Sequence, residues 1–188
     1  MSEQAPTPSH RLSGPAVLAS PLVSELLGLR VVAVLATHEP DGAVHAVPVW
    51  FAGDGDAILI GTGGGSRKVA NLRRDPRASV TLHDSRPGYE VCGVCLIGAA
   101  EVVEGEAGAA LVRLVHARYL APGAGDLADV RAFMDSDDVA VRFRPERAFT
   151  WDERDSAAAR ALAGTNLAYG LEPTSPRGYG VRPGTVSQ

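Results

Sequence analysis

The sequence predicts a mainly β protein of the α+β class, with antiparallel strands closing into a small barrel flanked by helices. Three observations carry that expectation. Six or seven short apolar, β-branched runs are divided by tight turn signals and by few helical stretches, the spacing of an antiparallel barrel. One of those signals, Asp41-Gly42, stands between two strand-like runs and marks a hairpin. A chain of 188 residues with 45% hydrophobic side chains also suffices for one domain with a buried core.

Taken in order, residues 1–14 are polar and Pro-containing and read as a disordered N-terminus. Val17, Leu18, Leu22, Leu26 and Leu27 recur near helical spacing, so residues 16–28 form an amphipathic helix closed by Gly28. Residues 30–37 are a strand, 38–42 the turn, and 43–51 the return strand. Residues 52–56 turn into a third strand, 57–61, and three strands in a row imply a meander. Residues 67–74 are a short helix ended by Asp75-Pro76, and 77–83 a fourth strand. A loop at 84–88 leads to a long strand, 89–103, bent at Gly98. Apolar positions 111, 112, 114 and 115 place a helix at 107–120, and 126–134 adds a second. Two strands, 139–143 and 148–151, joined by a turn at Arg144-Pro145-Glu146, finish the barrel. The domain spans 15–152. Residues 153–188 are a C-terminal helix, 155–163, and an extended tail. That tail cannot build a core, yet carries Tyr169, Leu171 and Tyr179, and is expected to cover the mouth of a substrate site.

Composition excludes several classes of function. A net charge of −4 argues against a nucleic-acid surface. No apolar run approaches the ~18 residues of a membrane span, and residues 1–14 lack the features of a secretory leader, so the expected location is cytoplasmic. Cys92 and Cys95 are three apart in an apolar strand and so point to opposite faces, which suits core packing and not redox chemistry. No second pair completes a zinc site, and no metal is expected.

The chemistry concentrates in residues 60–71. A short apolar run enters Gly63-Gly64-Gly65 and leaves through Ser66, a candidate N-cap, into Arg67, Lys68 and a helix. Two cations in a first helical turn oppose the helix dipole, so their placement implies an anionic partner. Lys68 is the one lysine beside 17 arginines, a compact ammonium kept where a phosphate would sit. The loop is neither a P-loop, which needs Gly-Lys-Ser/Thr, nor a dinucleotide fingerprint, since Ser66 stands where glycine is required.

Several segments together resemble one family: Val47-Pro48-Val49-Trp50-Phe51, the strand ending in Thr62, Ser66-Arg67-Lys68, Asn71 to Arg77, Gly98 to Glu101 and Phe149-Thr150-Trp151. The chain is similar to the split β-barrel flavin and deazaflavin proteins related to pyridoxamine 5′-phosphate oxidase. Among them it most resembles the actinobacterial oxidoreductases that use coenzyme F420 or FMN. The resemblance implies a homodimer of six-stranded antiparallel split barrels with two cofactors in grooves between subunits. It implies that Ser66, Arg67 and Lys68 hold the cofactor phosphate, with Thr62 near the ribityl chain or ring. Val47, Pro48, Val49 and Trp50 would line the ring edge, and Asn71 would order the loop or touch phosphate. The C-terminal Trp and Arg pair of the oxidase itself has no counterpart, so a pyridoxamine phosphate substrate is not expected.

F420 is the expected cofactor and FMN the alternative. FMN ends at its phosphate, whereas F420 continues into an anionic lactyl-glutamate tail that Arg73, Arg74 and Arg77 could serve. The leading function is an oxidoreductase passing hydride to an unsaturated small molecule. A non-catalytic flavin, deazaflavin or haem binder and a plain structural barrel are the alternatives. No catalytic residue is identified; His45 is the one histidine near the cofactor segment.

Overall fold

The computed structural model describes residues 10–14, 16–85, 91–162 and 165. The chain's core is one antiparallel sheet. Its strands are β1 (His10–Ser13), β2 (Ala33–His38), β3 (Val44–Val49), β4 (Ala52–Asp54), β5 (Ala57–Gly63), β6 (Arg77–Ser85), β7 (Val91–Val103) and β8 (Asp138–Asp152). They lie in the order β3-β2-β6-β7-β8-β5-β4, with β1 also paired to β8. The path does not close on itself, so the barrel is split.

The expected hairpin is present. β2 and β3 pair from Ala33↔Val49 to His38↔Val44, and Gly42 takes φ 86 at the turn. The expected meander is not. β5 leaves β3 altogether and pairs with β8, Ile58↔Phe143 to Gly63↔Asp138. Burial explains this: Ile58 and Ile60 face the main core while Leu59 packs with Val115 on the other side. A strand apolar on both faces belongs inside a covered sheet, not at a wet edge.

β8 corrects a second expectation. It runs unbroken over 15 residues where two strands and a turn were expected. Pro145 sits at a bulge, where the register against β7 shifts between Ile97↔Arg147 and Gly98↔Pro145 and leaves Glu146 extra. On its other side β8 pairs with β5 at residues 138–143 and with β1 at 147–150. Proline, having no N–H, thus falls in the gap between two partners, where no ladder bond is lost.

The N-terminal expectation is corrected in part. His10–Ser13, inside the segment expected to be disordered, is strand β1, with Leu12 packed against the core. A short β4 occupies what was expected as a turn, which brings the strands to eight. The first helix splits into α1 (Ala16–Ala19) and α2 (Pro21–Gly28), because Pro21 starts a helix but cannot continue one. The others are α3 (Arg67–Arg74), α4 (Gly105–Tyr119), α5 (Ala128–Met134) and α6 (Ala157–Leu162). None of these helices is long and apolar enough to cross a membrane.

The core gathers Phe51, Phe143, Leu35, Leu82 and Leu96, all fully buried. Cys92 is buried and Cys95 half-buried, both as free thiols, and burial pushes the Cys92 thiol above its usual pKa. After β8, Arg154 ties back to Asp152 and to Glu25 of α2, at 2.6 Å from Glu25 Oε1. The tail expected to cover a substrate mouth lies, beyond Thr165, outside the described residues.

Candidate functional site

Three strand ends and three helices define a groove of ≈ 280 Å³. Pro48 and Val49 end β3 and lead into Trp50; Gly61, Thr62 and Gly63 end β5; Lys68 stands in the first turn of α3. Val115 and His116 of α4, Phe133 of α5 and Asp138 of β8 complete the lining. Five of the nine expected cofactor residues therefore meet in one place: Pro48, Val49, Trp50, Thr62 and Lys68.

The other four lie around it. Val47 is half-buried and packs against the main core. Ser66 has the extended backbone of an N-cap, φ −73 and ψ 154, but its side chain makes no cap bond and its Oγ is buried without a partner. Arg67 is 71% exposed, stands 3.6 Å from Glu39, and lines a separate pocket with Glu39 and His45. His45 thus lies away from the groove. Asn71 is buried; its Nδ2 donates to Thr37 Oγ1 at 3.1 Å, and its Oδ1 accepts from Arg74 at 3.3 Å. These bonds anchor α3 to β2.

The glycine run keeps ordinary backbone angles. None of Gly63, Gly64 and Gly65 takes a positive φ. At Gly64 a side chain would crowd Val139, 3.2 Å from its Cγ1, so this glycine serves close packing of the loop on β8. Local pattern shows that a loop is glycine-rich but not which neighbour it approaches.

Three cations expected to serve an anionic tail are already engaged. Arg73 pairs with Glu104 and donates to the Gly64 carbonyl; Arg74 donates to the His38 carbonyl and to Asn71; Arg77 pairs with Asp75 at 2.7 Å. The Arg77 guanidinium holds the Asp75 carboxyl well below the usual range.

Lys68 differs. Burial pulls its ammonium pKa below the usual lysine value, with Asp138 partly opposing. A desolvated cation favours an anionic ligand. The buried, partnerless Ser66 Oγ two residues before it is a second group that a phosphate oxygen would satisfy. The donor set therefore fits the phosphate of a nucleotide-like cofactor.

The groove's aromatic wall is rigid. Trp50 stacks on Tyr119, with centroids 4.7 Å apart and planes at 9°, and meets Phe133 edge-on at 5.9 Å. The Tyr119 hydroxyl donates to the Val31 carbonyl at 2.7 Å and accepts from the Phe51 N–H at 3.3 Å. With one face covered by Tyr119, Trp50 acts as a fixed wall. His116, Phe133 and Asp138 escaped the sequence, since only packing of α4, α5 and β8 brings them here. One signal was available: His116 continues the stripe of Val112 and Val115 and precedes Tyr119 by three, so it belongs to the buried face.

Comparison with known proteins places the fold. The family model described as pyridoxamine 5′-phosphate oxidase matches residues 20–152. No curated protein matches. Among solved structures, the chain is similar to a conserved hypothetical protein from Mycobacterium tuberculosis, with 30% identity over 82% of this chain and 91% of that one, at TM-score 0.61. It is similar to an F420 reductase, with 26% identity over 66% of this chain and 94% of that one, at TM-score 0.51. The heme storage protein HutZ from Vibrio cholerae shares the fold, at 15% identity over 71% and 95% of the two chains and TM-score 0.56.

Proposed function

Because the chain belongs to the pyridoxamine 5′-phosphate oxidase family, we propose that it is an oxidoreductase working with a flavin or deazaflavin nucleotide. Within that class we propose reduced coenzyme F420 as hydride source and an unsaturated small molecule as acceptor. The observation that supports this most is the groove, where the single lysine, desolvated, meets Thr62 and the segment from Pro48 to Trp50. The likeness to an F420 reductase at 26% identity supports the choice of cofactor.

When bound, the ring supplies the hydride chemistry, and the protein supplies orientation and electrostatics. Lys68 and Ser66 would hold the phosphate, with Arg67 swinging from Glu39 to join them. Thr62, buried at the end of β5, would hydrogen-bond the ribityl chain or ring. Backbone groups at residues 47–50 would line the ring edge, and the Trp50–Tyr119 stack would keep that edge from drifting.

FMN is the second reading, favoured by one observation. Arg73, Arg74 and Arg77 each have partners within the chain, so the anionic tail of F420 would have to displace them. Equilibrium titration of the apo-protein with both cofactors separates the two. In either case Lys68→Ala should weaken binding by about 1.5–3 kcal/mol, roughly ten- to 150-fold, the scale of a charge-assisted hydrogen bond. Unchanged affinity would remove the groove from the phosphate site.

We take the working unit to be a homodimer, on the strength of the family and of a groove that one subunit leaves open to solvent. Sedimentation at micromolar concentration with cofactor bound should show a dimer. A monomer under those conditions overturns this part of the proposal.

A further inference from the structure

Four buried side-chain polar atoms lack a partner among the described residues: Ser66 Oγ, His116 Nδ1, Arg118 Nε and Arg142 Nε. The two arginines compensate through their other nitrogens. Arg118 donates to the carbonyls of Leu27 and Leu29, and Arg142 to Asp54 at 2.9 Å. Ser66 belongs to the phosphate loop already described. His116 is left over, and it lines the same groove as Lys68 and Thr62.

We propose that His116 is a ligand-contacting residue, whose Nδ1 hydrogen-bonds the planar ring of the nucleotide held in the groove. The inference rests on the flavin or deazaflavin reading above and deepens it. His116 is 2% exposed, so its orphaned nitrogen cannot be left to bulk water. A buried polar atom without a partner costs about 1–3 kcal/mol, and a histidine kept under that penalty points to a partner that arrives later. Two aromatic rings flank its imidazole. Phe133 packs on it at 5.1 Å with planes tilted by 39°, Trp50 meets it edge-on at 6.4 Å, and Val112 and Val115 fix the helix beneath it.

The chemistry of the group suits the ligand class. Burial lowers the His116 pKa, against a smaller opposing effect of Asp138, so the neutral imidazole is favoured. A neutral imidazole offers one N–H and one lone pair. A flavin or deazaflavin ring edge, with carbonyl and nitrogen groups side by side, can meet either tautomer. Lys68 and Ser66 would then grip the anionic end of the ligand, and His116 its ring.

The test uses the whole chain with imidazole nitrogens labelled for NMR. Titration with FMN or F420, and with the phosphate-free ribityl form of whichever binds, should displace the His116 Nδ1 resonance. Inorganic phosphate alone should not. His116→Phe, which keeps a flat apolar ring, should weaken the nucleotide and its phosphate-free form alike by about tenfold. His116→Asn, whose amide falls near the position of Nδ1, should restore most of that loss. Lys68→Ala should instead weaken the nucleotide and spare its phosphate-free form. If the wild-type protein binds the ring while Nδ1 stays unmoved and His116→Phe binds equally well, this inference falls and the cofactor reading stands. If the wild-type protein binds neither FMN nor F420, both fall. Should His116→Phe not fold, the wild-type resonance decides alone.

Discussion

Gly98→Ala is expected to destabilise the protein by about 3 kcal/mol, lowering its melting temperature by roughly 6–12 °C. A Cβ at this position would lie within contact distance of the Arg144 carbonyl oxygen and 2.9 Å from Pro145 Cα. Both obstacles are backbone, and proline holds its own φ nearly fixed, so β8 cannot step aside. The site is also where the β7–β8 register shifts. Gly93, on the same strand, is the control. The nearest atoms its added methyl would meet belong to the ring of Trp151, a half-buried side chain and not backbone. Gly93→Ala should therefore cost less. Thermal unfolding of the two variants checks the comparison, and a Gly98→Ala protein melting with the wild type would contradict the bulge.

Phe143→Ala should cost about 3–5 kcal/mol, the usual loss on emptying a buried aromatic site. Phe143 is fully buried on β8 and stands between Ile58 of β5 and Ala100 of β7. Its ring therefore sits at the junction of β5, β8 and β7. Phe149 offers the contrast on the same strand: it is half-buried beneath the Arg11 guanidinium, 5.1 Å from its centroid, and its loss should be smaller. Denaturant unfolding gives the measurement. The midpoint should fall with an unchanged slope, and equal losses at the two phenylalanines would argue against this core.

Local chemistry was legible and distant pairing was not. Asp41-Gly42 announced its hairpin because the turn is decided within a few residues: the Asp41 side chain accepts from the Ala43 N–H, and Glu39 and Ala43 close the loop. Ile58, Leu59 and Ile60 announced a strand, but nothing nearby reveals that its partner is Val139 to Phe143. Pro145 looked like a turn because proline breaks ladders, and its harmless place between β1 and β5 exists only in the assembled sheet. The same division holds at the groove. Thr62, Lys68 and Trp50 come from one continuous region of sequence, while His116, Phe133 and Asp138 arrive by packing.

The position of β8 has a consequence for how the protein comes to be folded. This strand is nearly the last of the described elements to leave the ribosome, yet it joins β7, β5 and β1 into one sheet. Until it emerges, β5 has no partner but the short β4, and Ile58, Leu59 and Ile60 wait with apolar surface uncovered. Pairings of such long sequence separation make closure slow, because loop entropy is lost before any contact rewards it. Synthesis from the N-terminus can therefore pair β3, β2, β6 and β7 as they emerge but cannot complete the sheet. The nascent chain carries an incomplete, sticky half-sheet that becomes a protein in one late step, when its final strand slides into the middle.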